Sequence, residues 1–162
     1  MRWLRRQRRI MSPKVPTNSG SGWLIAAGWM SVAASLLHVA CIIGGPDWYR
    51  FFGAGEEIAR AAERGAWMPT ILTLFIAGVL ATWAAYAFGA AGKFIRLPLM
   101  RTALIAIGLV LLLRALGGLV GHLWRPDLSD AFMLWSSLIV LILGLCFAIG
   151  TWRAWAALSR RS

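Results

Sequence analysis

The sequence predicts an all-α protein, an integral membrane four-helix up-and-down bundle with a short interfacial helix in its first outer loop. Three observations predict this. Four predominantly apolar runs each reach the ~20 residues needed to cross a ~30 Å hydrocarbon layer. Apolar residues make up 59% of the 162 and charged residues only 14%, against roughly 25% charged in a soluble domain. The charges that remain are segregated between the two sides of those runs.

Residues 1–22 read as a basic, flexible cytoplasmic tail, with Arg2, Arg5, Arg6, Arg8, Arg9 and Lys14 followed by the polar stretch Pro16–Gly20. A signal peptide also begins with a basic region, but its apolar core spans only ~7 to 15 residues. The run here extends from Trp23 to Ile43, so cleavage is not expected. Met11 offers a second start that would remove most of the arginines and none of the membrane segments.

The four-helix transmembrane domain is expected over 23–155, with spans at 23–43, 68–88, 98–123 and 131–151. Gly44, Gly45 and Pro46 stop the first span, and Pro69 sits in the opening turn of the second. Gly89 and Gly92 follow the second, Pro98 opens the third, and Pro126 separates the third from the fourth. Such residues are suited to helix ends, because proline lacks the N–H that an interior position needs and glycine relaxes the backbone after the last turn. The outer loop, 44–67, starts with Trp48, Tyr49, Phe51 and Phe52 and continues into Glu56-Glu57-Ile58-Ala59-Arg60. Acids in a first turn favour a helix, which is expected to lie across the outer mouth of the bundle. Residues 156–162 are expected to form a basic cytoplasmic tail.

The net charge of +11 would suggest nucleic acid if it formed a patch on a polar surface. With the N-terminus inside, twelve of the seventeen basic residues fall on the cytoplasmic side: the six of the tail with Lys93, Arg96, Arg101, Arg153, Arg160 and Arg161. Asp47, Glu56, Glu57, Glu63, Asp127 and Asp130 all fall outside. This is the positive-inside pattern, so the charge reports topology and nucleic-acid binding is not expected. Trp23, Trp48, Trp67, Trp124, Trp152 and Trp155 fall near the expected membrane edges, where amphipathic rings prefer to sit. Cys41 and Cys146 lie inside apolar runs near opposite faces, ~18 Å apart in depth, and read as small core residues rather than a disulfide.

Arg114 is the main functional pointer. A charge in the middle-to-outer part of the third span costs at least ~2.5 to 3.5 kcal/mol, so it should face the bundle or a wet cavity. The structural alternative, of equal weight, is that it snorkels to the interface or pairs with a helix-end carbonyl. Gly118 and Gly121 follow on the same face, and Gly117 with Gly121 makes a G-x-x-x-G that lets a neighbouring helix approach closely. His38 shares a stripe with Ser31, Ala34, Cys41 and Gly45. Small and polar residues on one face of an apolar helix mark the packed side, so His38 is expected to point inward. A histidine hydrogen-bonded only for packing explains it equally well. The acids Asp47, Glu56 and Glu57, with Tyr49, lie on the loop immediately above. A candidate ligand site is therefore His38, Arg114, Asp47, Tyr49, Glu56 and Glu57.

His122 stands at the outer end of the third span, an ordinary interfacial place. With His38 it could supply two axial ligands to a haem, or join Asp47 or Glu56 at a metal. Neither arrangement has a fixing spacing, so no metal or cofactor is expected; haem and quinone rank low. The sequence contains no phosphate loop, G-x-S-x-G or H-E-x-x-H, and no acid within a span. Nucleotide-driven transport and exporters that need a first-helix carboxylate are thereby disfavoured, and no catalytic residue is assigned.

The run from His38 to Glu56, with its Gly44-Gly45-Pro46-Asp47-Trp48-Tyr49 centre, resembles small uncharacterised bacterial four-helix membrane proteins, DoxX-like proteins among them. The resemblance covers helix one and its loop. It implies a bacterial inner membrane and four helices and assigns no residue a role; the positive-inside pattern puts both termini on the cytoplasmic side. Two functions of different class remain. The first is a small accessory or scaffolding membrane subunit, packing on a membrane-protein partner or a second copy through Gly117 and Gly121. The alternative is a binder of a lipid, quinone or other apolar ligand in an outward-facing polar pocket. The first needs no unseen chemistry and is preferred on the sequence; a haem-binding redox protein or a small transporter ranks below both, and an enzyme is not expected.

Overall fold

A computed structural model describes residues 19–93, 95, 97–124 and 131–159. The basic N-terminal tail, Arg96, Pro126, Asp127, Asp130, Arg160 and Arg161 lie outside the described residues. The described residues form six helices and no strand: α1 (Ser21–Gly44), α2 (Pro46–Phe51), α3 (Glu56–Glu63), α4 (Trp67–Ala90), α5 (Met100–Trp124) and α6 (Ala131–Ser159). Four of them, α1, α4, α5 and α6, are long and apolar enough to cross a membrane, and α2 and α3 fill the first connection. The protein is thus an all-α four-helix membrane bundle, as the sequence predicts.

Only 22 to 28% of each span is buried inside the chain. Large apolar side chains such as Leu36, Ile43, Ile71, Phe75, Leu113 and Ile142 face outward along most of each helix. A soluble monomer rarely exposes apolar patches of that extent, whereas hydrocarbon is a suitable solvent for them.

Helix α1 packs on both α4 and α6, and α5 packs extensively on α6, whereas α4 touches α5 and α6 only slightly. Around the bundle the order is therefore α4, α1, α6, α5, with a gap between α4 and α5. Small residues set these approaches. A Cβ on Gly28 would come within 2.7 Å of the Phe88 ring, and one on Gly150 within 2.8 Å of Leu24 Cγ. Ser35 Oγ donates to the Ala77 carbonyl at 2.8 Å and ties α1 to α4. The largest core cluster, centred on Phe147 with Leu24, Leu104, Ile107 and Leu111, fills the half of the bundle nearer the chain ends. There Ser19 Oγ donates to the Arg153 carbonyl at 3.1 Å, so the starts of α1 and the end of α6 meet.

Two boundaries differ from the sequence expectation. Helix α5 begins at Met100 rather than at Pro98, because Leu99 has φ 52° and cannot continue a right-handed helix. The expected tail from 156 is helical as far as Ser159. The stretch Trp152–Leu158 contains neither glycine nor proline, and Ala154 and Leu158 are buried in the core cluster, which holds the extra turns in place. An additional helix, α2, forms where only an aromatic loop start was expected. Gly45, at φ 70°, turns the chain between α1 and α2, and Pro46 occupies the first helical position.

Gly150→Val is expected to destabilise the bundle by about 1–3 kcal/mol through overpacking against α1. Gly78→Val, where no atom lies within 4 Å of an added Cβ, should leave stability nearly unchanged. Thermal or SDS-titrated unfolding of the two variants in detergent compares them directly.

Candidate functional site

Above the core cluster the gap between α4 and α5 opens into a cavity of about 370 Å³. All four spans line it: Met30 and His38 from α1, Phe75 and Trp83 from α4, Leu111 and Arg114 from α5, Val140 and Leu143 from α6. Leu111 and Leu143 belong to both the core and this lining, so the core forms the cavity floor. Phe75, Ile76, Val110 and Ile139 are exposed at its margin, so the mouth opens sideways toward the surrounding hydrocarbon. His38 and Arg114 are the only ionisable groups in an otherwise apolar and aromatic lining.

Each has a defined local state. His38 Nδ1 lies 2.8 Å from the Ala34 carbonyl, one turn earlier in α1. A carbonyl can only accept, so Nδ1 carries a proton, and in the neutral ring Nε2 is left as an acceptor. Arg114 makes no hydrogen bond or ion pair with the described residues. Its guanidinium runs along α5 toward Gly118: a Cβ at 118 would sit 2.8 Å from Arg114 Nη1 and overlap Ser137 Oγ. Gly118 is thus the notch that admits both groups. Ser137 is fully buried, and its hydroxyl has no partner.

Depth along the helices brings the two ionisable groups toward one level. His38 lies about 9 Å from the outer end of α1 and Arg114 about 15 Å from that of α5. One turn of outward reach toward Gly118, about 5.4 Å, closes most of the difference. His122 lies about 12 Å further along α5 than Arg114 and is not part of the cavity lining. Among the described residues no three His, Cys, Asp or Glu side chains gather as a metal site.

The loop residues grouped with them on the sequence are engaged elsewhere. Arg50 gathers three acids, with Nε 3.0 Å from Glu56, Nη2 2.7 Å from Glu63 and Nη1 3.4 Å from Asp47. Arg60 adds a second contact to Glu56 at 2.9 Å. Those hydrogen bonds hold the Glu56 carboxyl below the ordinary carboxylate range and raise Arg50 further above its own. Glu57 is exposed. None of Asp47, Glu56 and Glu57 lines the cavity. The acids Asp47, Glu56 and Glu63 find their cation within the same loop rather than across the membrane, since a local pair needs no charge drawn into hydrocarbon.

Tyr49 is also outside the lining and instead anchors the loop. It is buried with Cys41 and Ala59. Thr73 Oγ1 commits its proton to the Pro69 carbonyl at 2.7 Å. The Tyr49 hydroxyl, 3.3 Å away, is therefore the donor to Thr73 Oγ1. Phe52 meets Phe132 edge-on with centroids 6.2 Å apart, and a Cβ on Gly53 would overlap the same ring. The pair α2–α3 thus reaches from α1 and α4 across to α6 and caps the end of the bundle away from the chain ends. Sequence reasoning missed Arg50 as its hub, although the Asp47–Arg50 spacing of i, i+3 on a short helix was a usable signal. It also missed Ser137, whose signal was a Ser136-Ser137 pair within an apolar span.

No protein-family model, no curated protein and no solved structure matches this chain.

A depressed carboxyl contributes stability that is present above its unfolded pKa, ~4.3 for Glu, and lost as pH falls through the lower folded value. The protection of the α3 amides, corrected for intrinsic exchange, should therefore be constant from pH ~7 to ~5 and fall below pH ~4. Arg50→Gln should reduce that protection already at neutral pH, by no more than about fivefold because the pairs are largely exposed.

Proposed function

We propose that this multi-pass membrane protein binds an apolar molecule with an oxygen-bearing head, such as a lipid or a quinone, in the cavity between α4 and α5. The observation that carries the reading is the chemistry of the lining: one unpaired guanidinium and one histidine acceptor facing a common space that is otherwise apolar. A guanidinium in hydrocarbon needs a counter-group, and the described residues offer it none. A carbonyl or carboxylate on a ligand would accept from Arg114, and a hydroxyl would donate to His38 Nε2. Trp83, Phe75 and Met30 would pack on the apolar body. The lateral mouth suits a molecule that arrives through the bilayer, and the α2–α3 cap covers the aqueous approach. The bacterial inner membrane, with the end bearing Lys93, Arg101 and Arg153 inside, is the location that the charge distribution supports.

A second reading rests on a different observation. Gly117 and Gly121 each have open space where a Cβ would stand, so the G-x-x-x-G ridge is unused among the described residues. An accessory subunit docking a partner helix there would use it. Gly117→Leu combined with Gly121→Leu should then change the assembly size in detergent, measured by light scattering, without altering cavity occupancy.

For the binding reading, wild type and Arg114→Gln purified in mild detergent are compared by absorption spectrum and by mass spectrometry of extracted small molecules. A lipid or quinone retained by wild type and reduced roughly 10- to 100-fold in Arg114→Gln is expected, as for loss of a charge-assisted hydrogen bond. His38→Ala should reduce retention less. A monodisperse, folded wild type that carries no such molecule would move the weight to the accessory-subunit reading.

A further inference from the structure

At the end of the bundle opposite the cap, α5 and α6 leave a second groove, of about 320 Å³. Leu104, Ile105, Gly108, Leu109 and Leu112 form its α5 wall, and within it Ile105, Gly108 and Leu112 make one helical stripe that continues at a spacing of four to Arg101. From Arg101 to Leu112 this stripe is about 16 Å long, the thickness of one hydrocarbon leaflet. Gly108 keeps the middle of the wall low, with no atom closer than 3.8 Å to an added Cβ.

Arg101 stands at the headgroup end of that stripe in a fixed pose. Its guanidinium lies 4.3 Å over the Trp155 ring, which itself lines the groove. It donates to Ser159 Oγ, and Ser159 in turn donates to the Trp155 carbonyl at 2.7 Å. The stacking and the hydroxyl orient the guanidinium, and neither partner is an acid, so among the described residues no carboxylate compensates its charge. Its Nε is buried and has no hydrogen-bond acceptor. Farther down the groove Thr151 is 5% exposed, and its hydroxyl is likewise without a partner. A cation held at the interface, an interfacial tryptophan beside it and a leaflet-length apolar channel below it match the parts of one anionic phospholipid.

We propose that the groove between α5 and α6 is a binding site for an anionic phospholipid, its phosphate accepting from Arg101 and one acyl chain lying along Ile105, Gly108 and Leu112. The site is separate from the cavity that holds His38 and Arg114, on the opposite half of α5, and does not depend on what that cavity binds. Arg101 supplies the discrimination, because arginine presents a planar fork of donors to phosphate. The groove supplies residence for the chain, which any phospholipid shares.

The test uses the full chain, with phosphatidylglycerol and phosphatidylcholine of identical acyl chains as probes. Native mass spectrometry from detergent containing both lipids should show phosphatidylglycerol retained over phosphatidylcholine by roughly fivefold, the effect of one basic residue at a membrane surface. Arg101→Gln should remove most of the preference, whereas Lys93→Gln and Arg153→Gln should preserve it. Equal retention of the two lipids by wild type, or an equal loss in all three variants, would overturn the proposal in favour of a diffuse basic surface. Complete displacement by inorganic phosphate would also overturn it, since the acyl chain would then contribute nothing. If Arg101→Gln does not fold, tryptophan quenching of wild type by bromine-labelled chains decides: stronger quenching by brominated phosphatidylglycerol supports the site, and equal quenching by the two brominated lipids refutes it.

Discussion

In hydrocarbon two helices gain little from burying apolar side chains against each other, so their association depends on close contact and on a few hydrogen bonds. Here that requirement falls on α1. Gly28 admits the Phe88 ring of α4, Leu24 enters the space left by Gly150 of α6, and Ser35 donates to a carbonyl of α4. With α1 held against both neighbours, α5 joins the bundle mainly through α6 and touches α4 only slightly. The separation of α4 from α5, and hence the existence of a laterally open cavity, is a consequence of that seating rather than of any residue within the cavity itself.

The two ends of the cavity are closed by different physics. The floor is packing: Leu111 and Leu143 are shared between the core cluster and the lining, and Phe147 behind them is fully buried. The cap is polar and lies at the water. Its two short helices are held to the bundle by Tyr49, Thr73 and the Phe52–Phe132 contact and held to each other by Arg50. Exposed ion pairs contribute little to global stability. The cap is accordingly the part of the molecule in which local opening costs least, while the floor opens only with the fold.

Much of the architecture was legible because the bilayer imposes it. Span length, span number and the end signals around Pro46, Pro69 and Gly89 follow from one-dimensional patterns, and the structure reproduces them within a few residues. The two boundaries that moved depended on facts a pattern does not contain: the left-handed backbone at Leu99, and the burial of Ala154 and Leu158 that extends α6. In the cavity, the inward stripe on α1 and the cost of a charge in the third span were enough to bring His38 and Arg114 together as candidates. The acids were grouped with them because they lie nearby in depth. What sequence could not supply was the competition: Arg50 on the loop's own helix takes Asp47, Glu56 and Glu63 before any of them can turn inward.

That competition also sharpens the chemistry left at Arg114. Had an acid from the loop reached it, the guanidinium would be a neutralised structural pair and the cavity simply apolar. With Asp47, Glu56 and Glu63 bound to Arg50, Glu57 exposed outside the cavity lining, and Gly118 giving the side chain room to extend beside the unpartnered Ser137 hydroxyl, the positive charge remains available inside the bilayer. Retaining such a charge is unfavourable for the isolated chain, and a bound oxygen acid or carbonyl offsets that cost only while it occupies the site. Arg101 at the other end of α5 has the same uncompensated character under milder conditions, close to headgroups and steadied by Trp155. One helix therefore carries two cations whose surroundings differ mainly in depth. On the proposed readings depth divides their ligands: a molecule whose head can enter the hydrocarbon for Arg114, and one whose phosphate stays at the interface for Arg101.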